Sequence, residues 1–85
     1  MIDAEIIIKA NQALAQEFEI DITRMRPEAH FKEDLNLDSL DIVDMVVVLE
    51  QTFQIKIGKD PELMHIRTVG DMHAYILTKK EQLHL

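Results

Sequence analysis

The stretch D-L-N-L-D-S-L-D-I-V-D-M-V-V-V-L-E-Q-T-F, residues 34–53, decides the fold through the reading of its second half. From Ser39 to Phe53 it holds no glycine or proline, and a helix competes with a buried strand over Ile42 to Leu49. Asp44 and Glu50 fit helical spacing and strong capping residues precede the run, so a helix over Ser39–Phe53 is predicted. Asp38, with Asp41 three residues later, has the form of a capping box, worth about 1 kcal/mol. Three consecutive valines are modest helix formers, so packing rather than propensity must hold this helix.

At ~100° per residue, Ile42, Met45, Val46, Leu49 and Phe53 form one broad apolar stripe, the predicted core face. Leu40, Val43 and Val47 form a second stripe roughly 140° away, edged by Ser39 and Glu50 on one side and by Asp44 and Gln51 on the other. A single face seals a single core, so the second stripe needs another explanation. A helix buried between three neighbours would be apolar nearly all round. Asp41, Asp44 and Glu50 instead border the extra stripe, giving a dry centre inside an acidic rim, the layout of a docking surface.

Asp34, Asn36 and Asp38 also match the first three ligand positions of a calcium-binding loop. Ser39 then stands where that loop needs glycine, and Met45 where it needs a bidentate glutamate, so weak peripheral cation binding is the most this pattern supports. Ser39 as a catalytic nucleophile lacks a G-x-S-x-G elbow. His30, His65, His73 and His84 are scattered, and flanking carboxylates disfavour a developing alkoxide. As a site of modification, Ser39 fits better. A hydroxyl in the first helical turn is exposed, the free N–H groups there tolerate a phosphate ester, and nearby carboxylates help a modifying enzyme hold magnesium.

Outward from this stretch, Ile7, Ala10, Leu14 and Phe18 define one face of a first helix from about Asp3 to Glu19. Residues 20–37 have no helical period and form a long loop, with Ile20, Ile22, Met25, Phe31 and Leu35 as expected anchors onto the core. Asp60-Pro61-Glu62 starts a short third helix reaching about His65. Thr68-Val69-Gly70-Asp71 is a near capping box opening a last helix, with Val69, Met72, Tyr75, Ile76 and Leu83 at helical steps. The prediction is an all-α protein, a small four-helix bundle with a long first loop and a short third helix.

The 85 residues, 47% of them hydrophobic, fit one small domain, residues 1–85, that would bury about 60 to 65% of its unfolded surface. Sixteen acids against nine Lys and Arg give a net charge of -7, which argues against nucleic acid and for a basic patch on another protein as partner. With no cysteine, any thiol the protein uses must be attached to it. The acidic N-terminus is unlike a signal peptide, and the longest apolar run, Met45 to Leu49, is too short for membrane insertion. A cytoplasmic monomer is expected.

The run F-K-E-D-L-N-L-D-S-L-D-I-V-D-M-V-V-V-L-E-Q-T-F, Phe31 to Phe53, closely resembles the attachment region of acyl carrier proteins, whose hallmark is Asp-Ser-Leu at the start of the second helix. Length, acidity, helix order and the later I-R-T-V-G-D-M-H-A-Y-I extend the resemblance over the whole chain. It implies that Ser39 receives 4′-phosphopantetheine from coenzyme A through a phosphopantetheinyl transferase of the holo-synthase type. The arm then carries acyl groups as thioesters, in fatty-acid or polyketide-type synthesis, and the protein itself is not an enzyme.

The resemblance also places Asp38, Leu40, Asp41, Val43, Asp44, Val47 and Glu50 as partner-binding residues for acyl-loading and chain-extending enzymes with basic docking patches. It further implies an acyl shelter among Phe31, Ile42, Met45, Leu49 and Ile66. The alternatives are a specialised carrier for aminoacyl, D-alanyl or aryl-polyene chemistry and, from another class, a calcium-responsive helical adaptor. Asn36 departs from the family's usual glycine but tolerates the left-handed conformation. Gln51 replaces a common acid, the segment Gly58–His65 is longer and less acidic than usual, and Lys79 and Lys80 add charge to the tail.

Overall fold

The computed structural model describes residues 2–80. Three α-helices, α1 (Asp3–Glu17), α2 (Ser39–Phe53) and α3 (Val69–Thr78), alternate with two 3₁₀ segments, Ile22–Arg24 and Pro61–His65. Among the described residues there is no β-strand, and one isolated antiparallel bridge joins His30 to Thr68. The all-α prediction holds; among the described residues, three α-helices and two 3₁₀ segments stand where four helices were expected.

The expected short third helix is the 3₁₀ segment Pro61–His65. Asp60 caps it by accepting the Glu62 N–H at 3.0 Å, and Pro61 occupies its first position as predicted. Its inward residues, half-buried Leu63 and buried Ile66, are three apart, matching three residues per turn. Ile66 is already extended, so the chain can run straight into the bridge with the long loop. Tyr75 of α3 holds the segment from behind, donating its hydroxyl to Asp60 Oδ2 at 2.7 Å, with Lys79 Nζ 3.4 Å from the same oxygen. Burial, and then this carboxylate, push the Tyr75 phenol well above its ordinary pKa.

α1 stops at Glu17, two residues before the predicted end. Glu19 turns left-handed (φ 54°) and the Ile20 N–H closes on the Ala15 carbonyl at 2.9 Å, a Schellman ending built without glycine. The buried face of α1 is Ile6, Ala10, Leu14 and Ala15, while Ile7 and Phe18 are half-buried. The core row follows the four-residue step 6–10–14, so Ala10 and Leu14 are buried as expected and Ile6 takes the place expected of Ile7.

α1 packs against both α2 and α3. Phe31, Phe53, Ile6, Leu14, Met45 and Leu49 are among the fully buried side chains between them. The long loop crosses this core on Met25, Ala29, Phe31, Leu35 and Leu37. Ile22, an expected anchor, is exposed, and Ile20 is half-buried. Loop and α3 are laced together by Val69 N–H on the Ala29 carbonyl (2.9 Å), Gly70 N–H on that of Pro27 (2.8 Å) and Phe31 N–H on that of Arg67 (3.0 Å). A β-carbon at position 70 would lie 2.9 Å from the Pro27 carbonyl oxygen, so this approach requires glycine. α3 opens with the predicted box, Thr68 and Asp71 each accepting the other's N–H, and it ends at Thr78; Leu83, expected on its apolar face, lies outside the described residues.

Candidate functional site

The start of α2 is fixed by a left-handed residue and a complete capping box. Asn36 adopts φ 58°, the left-handed conformation expected of it, and lets the Leu37 N–H reach back to the Phe31 carbonyl at 2.8 Å. With Leu37 thereby buried, Asp38 becomes the N-cap. Its Oδ1 accepts the N–H of Leu40 (2.9 Å) and of Asp41 (3.0 Å), and Asp41 Oδ2 accepts the Asp38 N–H at 3.0 Å. The capping box predicted from sequence is complete.

Because Asp38 does the capping, Ser39 does not. It sits at the first helical position, exposed, and its hydroxyl takes part in none of the cap's hydrogen bonds. A cap built on the serine would have tied that oxygen to a backbone N–H. Asp34, Asn36 and Asp38 do not converge as a cation loop. Asp34 Oδ2 accepts the His30 N–H at 2.7 Å, Asp38 faces the helix, and among the described residues no three His, Cys, Asp or Glu side chains gather as metal ligands.

Along α2 the two stripes separate as predicted. Leu40, Val43 and Val47 are exposed at 77%, 63% and 41%, while Met45, Val46, Leu49 and Phe53 are buried and Ile42 is half-buried. Val48, assigned to neither stripe, is buried too. The rim acids differ in what they touch. Asp41 is half-turned into the cap. Asp44 stands beside the Glu17 carboxyl at the end of α1, and its carboxylate, as hydrogen-bonding neighbour and as charge, pushes the Glu17 carboxyl above its ordinary range. Glu50 accepts the N–H of Ile57 (2.8 Å) and of Gly58 (3.3 Å), so it folds the following loop as well as edging the stripe.

Beside Ser39 lies an open cleft of about 420 Å³. Its apolar wall is Phe31, Leu37, Ile42 and Ile66, and Lys32 and Arg67 stand at its exposed edge. Three of the five residues expected to shelter an acyl chain therefore line it, whereas Met45 and Leu49 are fully buried in the core. The cationic edge is absent from the sequence reading, because positions 32 and 67 meet only through the bridge between the loop and the start of α3.

His30 also lines the cleft, but among the described residues no hydrogen bond joins its ring to Ser39. His65 is exposed and His84 lies outside the described residues. His73, weighed on sequence only as one of four scattered histidines, is buried in α3 with Nε2 2.7 Å from Asn11 Oδ1 on α1, and burial lowers its pKa.

Residues 11–76 match a family model described as a phosphopantetheine attachment site. The chain is similar to the acyl carrier protein of Helicobacter hepaticus, 43% identical over 79% of this chain and 87% of the relative. It is also similar to that of Exiguobacterium sp., 38% identical over 93% of this chain and 99% of the relative. The acyl carrier protein of Thermosynechococcus vestitus is 38% identical over 93% of this chain and 96% of the relative.

Proposed function

Since the chain belongs to the acyl carrier protein family, we propose that it carries the acyl intermediates of fatty-acid synthesis as thioesters on a 4′-phosphopantetheine arm esterified to Ser39. The observation that carries this assignment is the division of labour at the start of α2: Asp38 satisfies the helix, leaving the Ser39 hydroxyl exposed and uncommitted beside a cleft. In the loading step the Ser39 Oγ–P bond forms as a P–O bond of the coenzyme A pyrophosphate breaks. Adenosine 3′,5′-bisphosphate departs, and the hydroxyl proton passes to the transferase or solvent. The arm supplies the terminal thiol that this cysteine-free chain lacks.

Leu40, Val43 and Val47 form the dry centre on which the transferase and the acyl-loading and chain-extending enzymes seat. Asp38, Asp41, Asp44 and Glu50 form the rim that steers their basic patches. Residues 1–85 act as one carrier domain and a monomer, and the chemistry belongs to the partner enzymes. The carrier works in the cytoplasm; among the described residues no helix is long and apolar enough to cross a membrane. The names of the relatives favour a general acyl carrier over one dedicated to aminoacyl, D-alanyl or aryl-polyene groups.

Intact-mass spectrometry after incubation with coenzyme A and a promiscuous phosphopantetheinyl transferase tests the assignment. The parent should gain the mass of one phosphopantetheinyl group and Ser39→Ala should gain none. An unmodified parent, or a modified Ser39→Ala, overturns it.

A further inference from the structure

The cations of this acidic chain are not spread evenly over their tasks. Among the described residues, Arg26 pairs with Glu28, Lys79 with Asp60 and Lys80 with Asp3. Arg24 donates to the Asp34 carbonyl, and Lys9 lies over the Phe53 ring. Lys32, Lys56, Lys59 and Arg67 have no such engagement among those residues, and two of these four stand at the edge of the cleft beside Ser39. Arg67 forms no ion pair among the described residues; the Asp71 carboxyl is held below its ordinary range chiefly by the Arg67 backbone N–H, with the guanidinium charge the smallest cause.

Among the described residues neither cation forms an ion pair with an acid of the cleft. The cleft's own acids are Glu33 and Asp38, and Asp38 is occupied by two backbone N–H groups. A group esterified to Ser39 changes the balance, because its phosphodiester brings a negative charge next to Asp38 and Asp41 in a body already at -7. Like charges at such separations repel, and cations across the cleft are the available compensation.

Resting on the carrier reading, we infer that Lys32 and Arg67 form an anion seat that draws the Ser39-linked arm into the cleft by holding a phosphate or carboxylate oxyanion borne on it. The apolar wall of Phe31, Ile42 and Ile66 takes the arm's uncharged part, and the two cations hold the charged one. Arg67 suits a planar or tetrahedral oxyanion through its forked donors, whereas Lys32 acts as a point charge.

The test compares the parent, Lys32→Gln/Arg67→Gln, the conservative Arg67→Lys, and Lys56→Gln/Lys59→Gln, which removes equal charge away from the cleft. Each is prepared unmodified, as the phosphopantetheine form, and with the arm carrying either a neutral hexanoyl group or a carboxylate-ended dicarboxylic acyl group. Loading is verified by intact mass. The readouts are the thermal midpoint of each loaded form relative to its own unmodified form, and the ³¹P chemical shift of the phosphodiester.

In the cleft double variant the loaded-minus-unmodified difference should fall by ~1–5 °C, the range expected for surface charge contacts in a chain of this size. Arg67→Lys should lose about half as much, and the Lys56/Lys59 variant nothing. A fall in every loaded form, with a moved ³¹P signal, assigns the seat to the phosphodiester; a fall confined to the carboxylate-ended form assigns it to the far end of the carried group. Equal differences in the cleft and Lys56/Lys59 variants overturn the inference, while a parent that cannot be loaded overturns the carrier reading instead.

Discussion

Asp38 and Ser39 are neighbours with opposite obligations. The helix start needs one side-chain acceptor for its free N–H groups, and Asp38 meets that need twice over while Asp41 returns the favour to the Asp38 N–H. Asp38→Ala should therefore lower stability by about 1 kcal/mol, with urea denaturation as the measurement. It should also slow modification of Ser39, because the turn that presents its hydroxyl loses the acceptor that holds the Leu40 and Asp41 N–H groups. Asp38→Asn keeps a capping acceptor and should recover most of the stability. Unchanged stability in the alanine variant would mean that the box does not hold the turn. Asn36 completes the same turn at φ 58°, and its tolerance of that conformation was readable from residue type alone.

At the scale of the element, α2 separates folding from recognition by the faces of one helix. Val48→Ala removes buried methyl groups and should cost about 2 kcal/mol, whereas Val43→Ala removes exposed ones and should leave stability within ±0.5 kcal/mol while slowing transfer to Ser39. Denaturation midpoints and transferase kinetics on both variants check the pair together. Asp44→Lys should weaken partner association mainly through a slower, salt-dependent on-rate. It should not destabilise the fold, since it replaces a like-charge contact with Glu17 by an attractive one; stopped-flow association across ionic strengths and a thermal scan separate the effects.

Both stripes of α2 were legible because helical periodicity and capping are local, and the helix bounds came out residue for residue. The exchange of Ile7 for Ile6 in α1 is a one-position phase error of the kind a short amphipathic helix permits. The 3₁₀ form of Pro61–His65 was not legible, because the bridge to His30 decides where the chain must be extended. Val48, the cleft's cations and the loop-binding role of Glu50 likewise depend on contacts between distant parts of the chain.

Over the whole molecule, two charge-dependent responses follow from different causes. His73 is buried where α3 meets α1, bonded to Asn11, with a folded-state pKa lowered by burial. Below the ordinary histidine pKa of about 6.5 the unfolded chain binds a proton that the folded one refuses, so stability falls as pH drops from about 7 toward 5, by at most ~1.4 kcal/mol per pH unit. His73→Gln should flatten that slope, with Asn11 still bonded; urea titrations at pH 7.5 and 5.5 on both proteins check it, and equal slopes would place the linkage elsewhere. The second response comes from a net charge of -7 on a body with a radius of gyration of 11.7 Å. Its three ion pairs among the described residues include exposed ones of small value, so self-repulsion dominates the long-range field. Raising NaCl from 10 to 300 mM shortens the Debye length from about 30 Å to less than 10 Å. The thermal midpoint should rise as repulsion is screened, while association with a basic partner slows, because the field that repels the chain from itself is the one that draws the partner in. A midpoint that falls with salt would show local attractive pairs outweighing the net charge, and the salt dependence of docking would then belong to the Asp41–Asp44 rim alone.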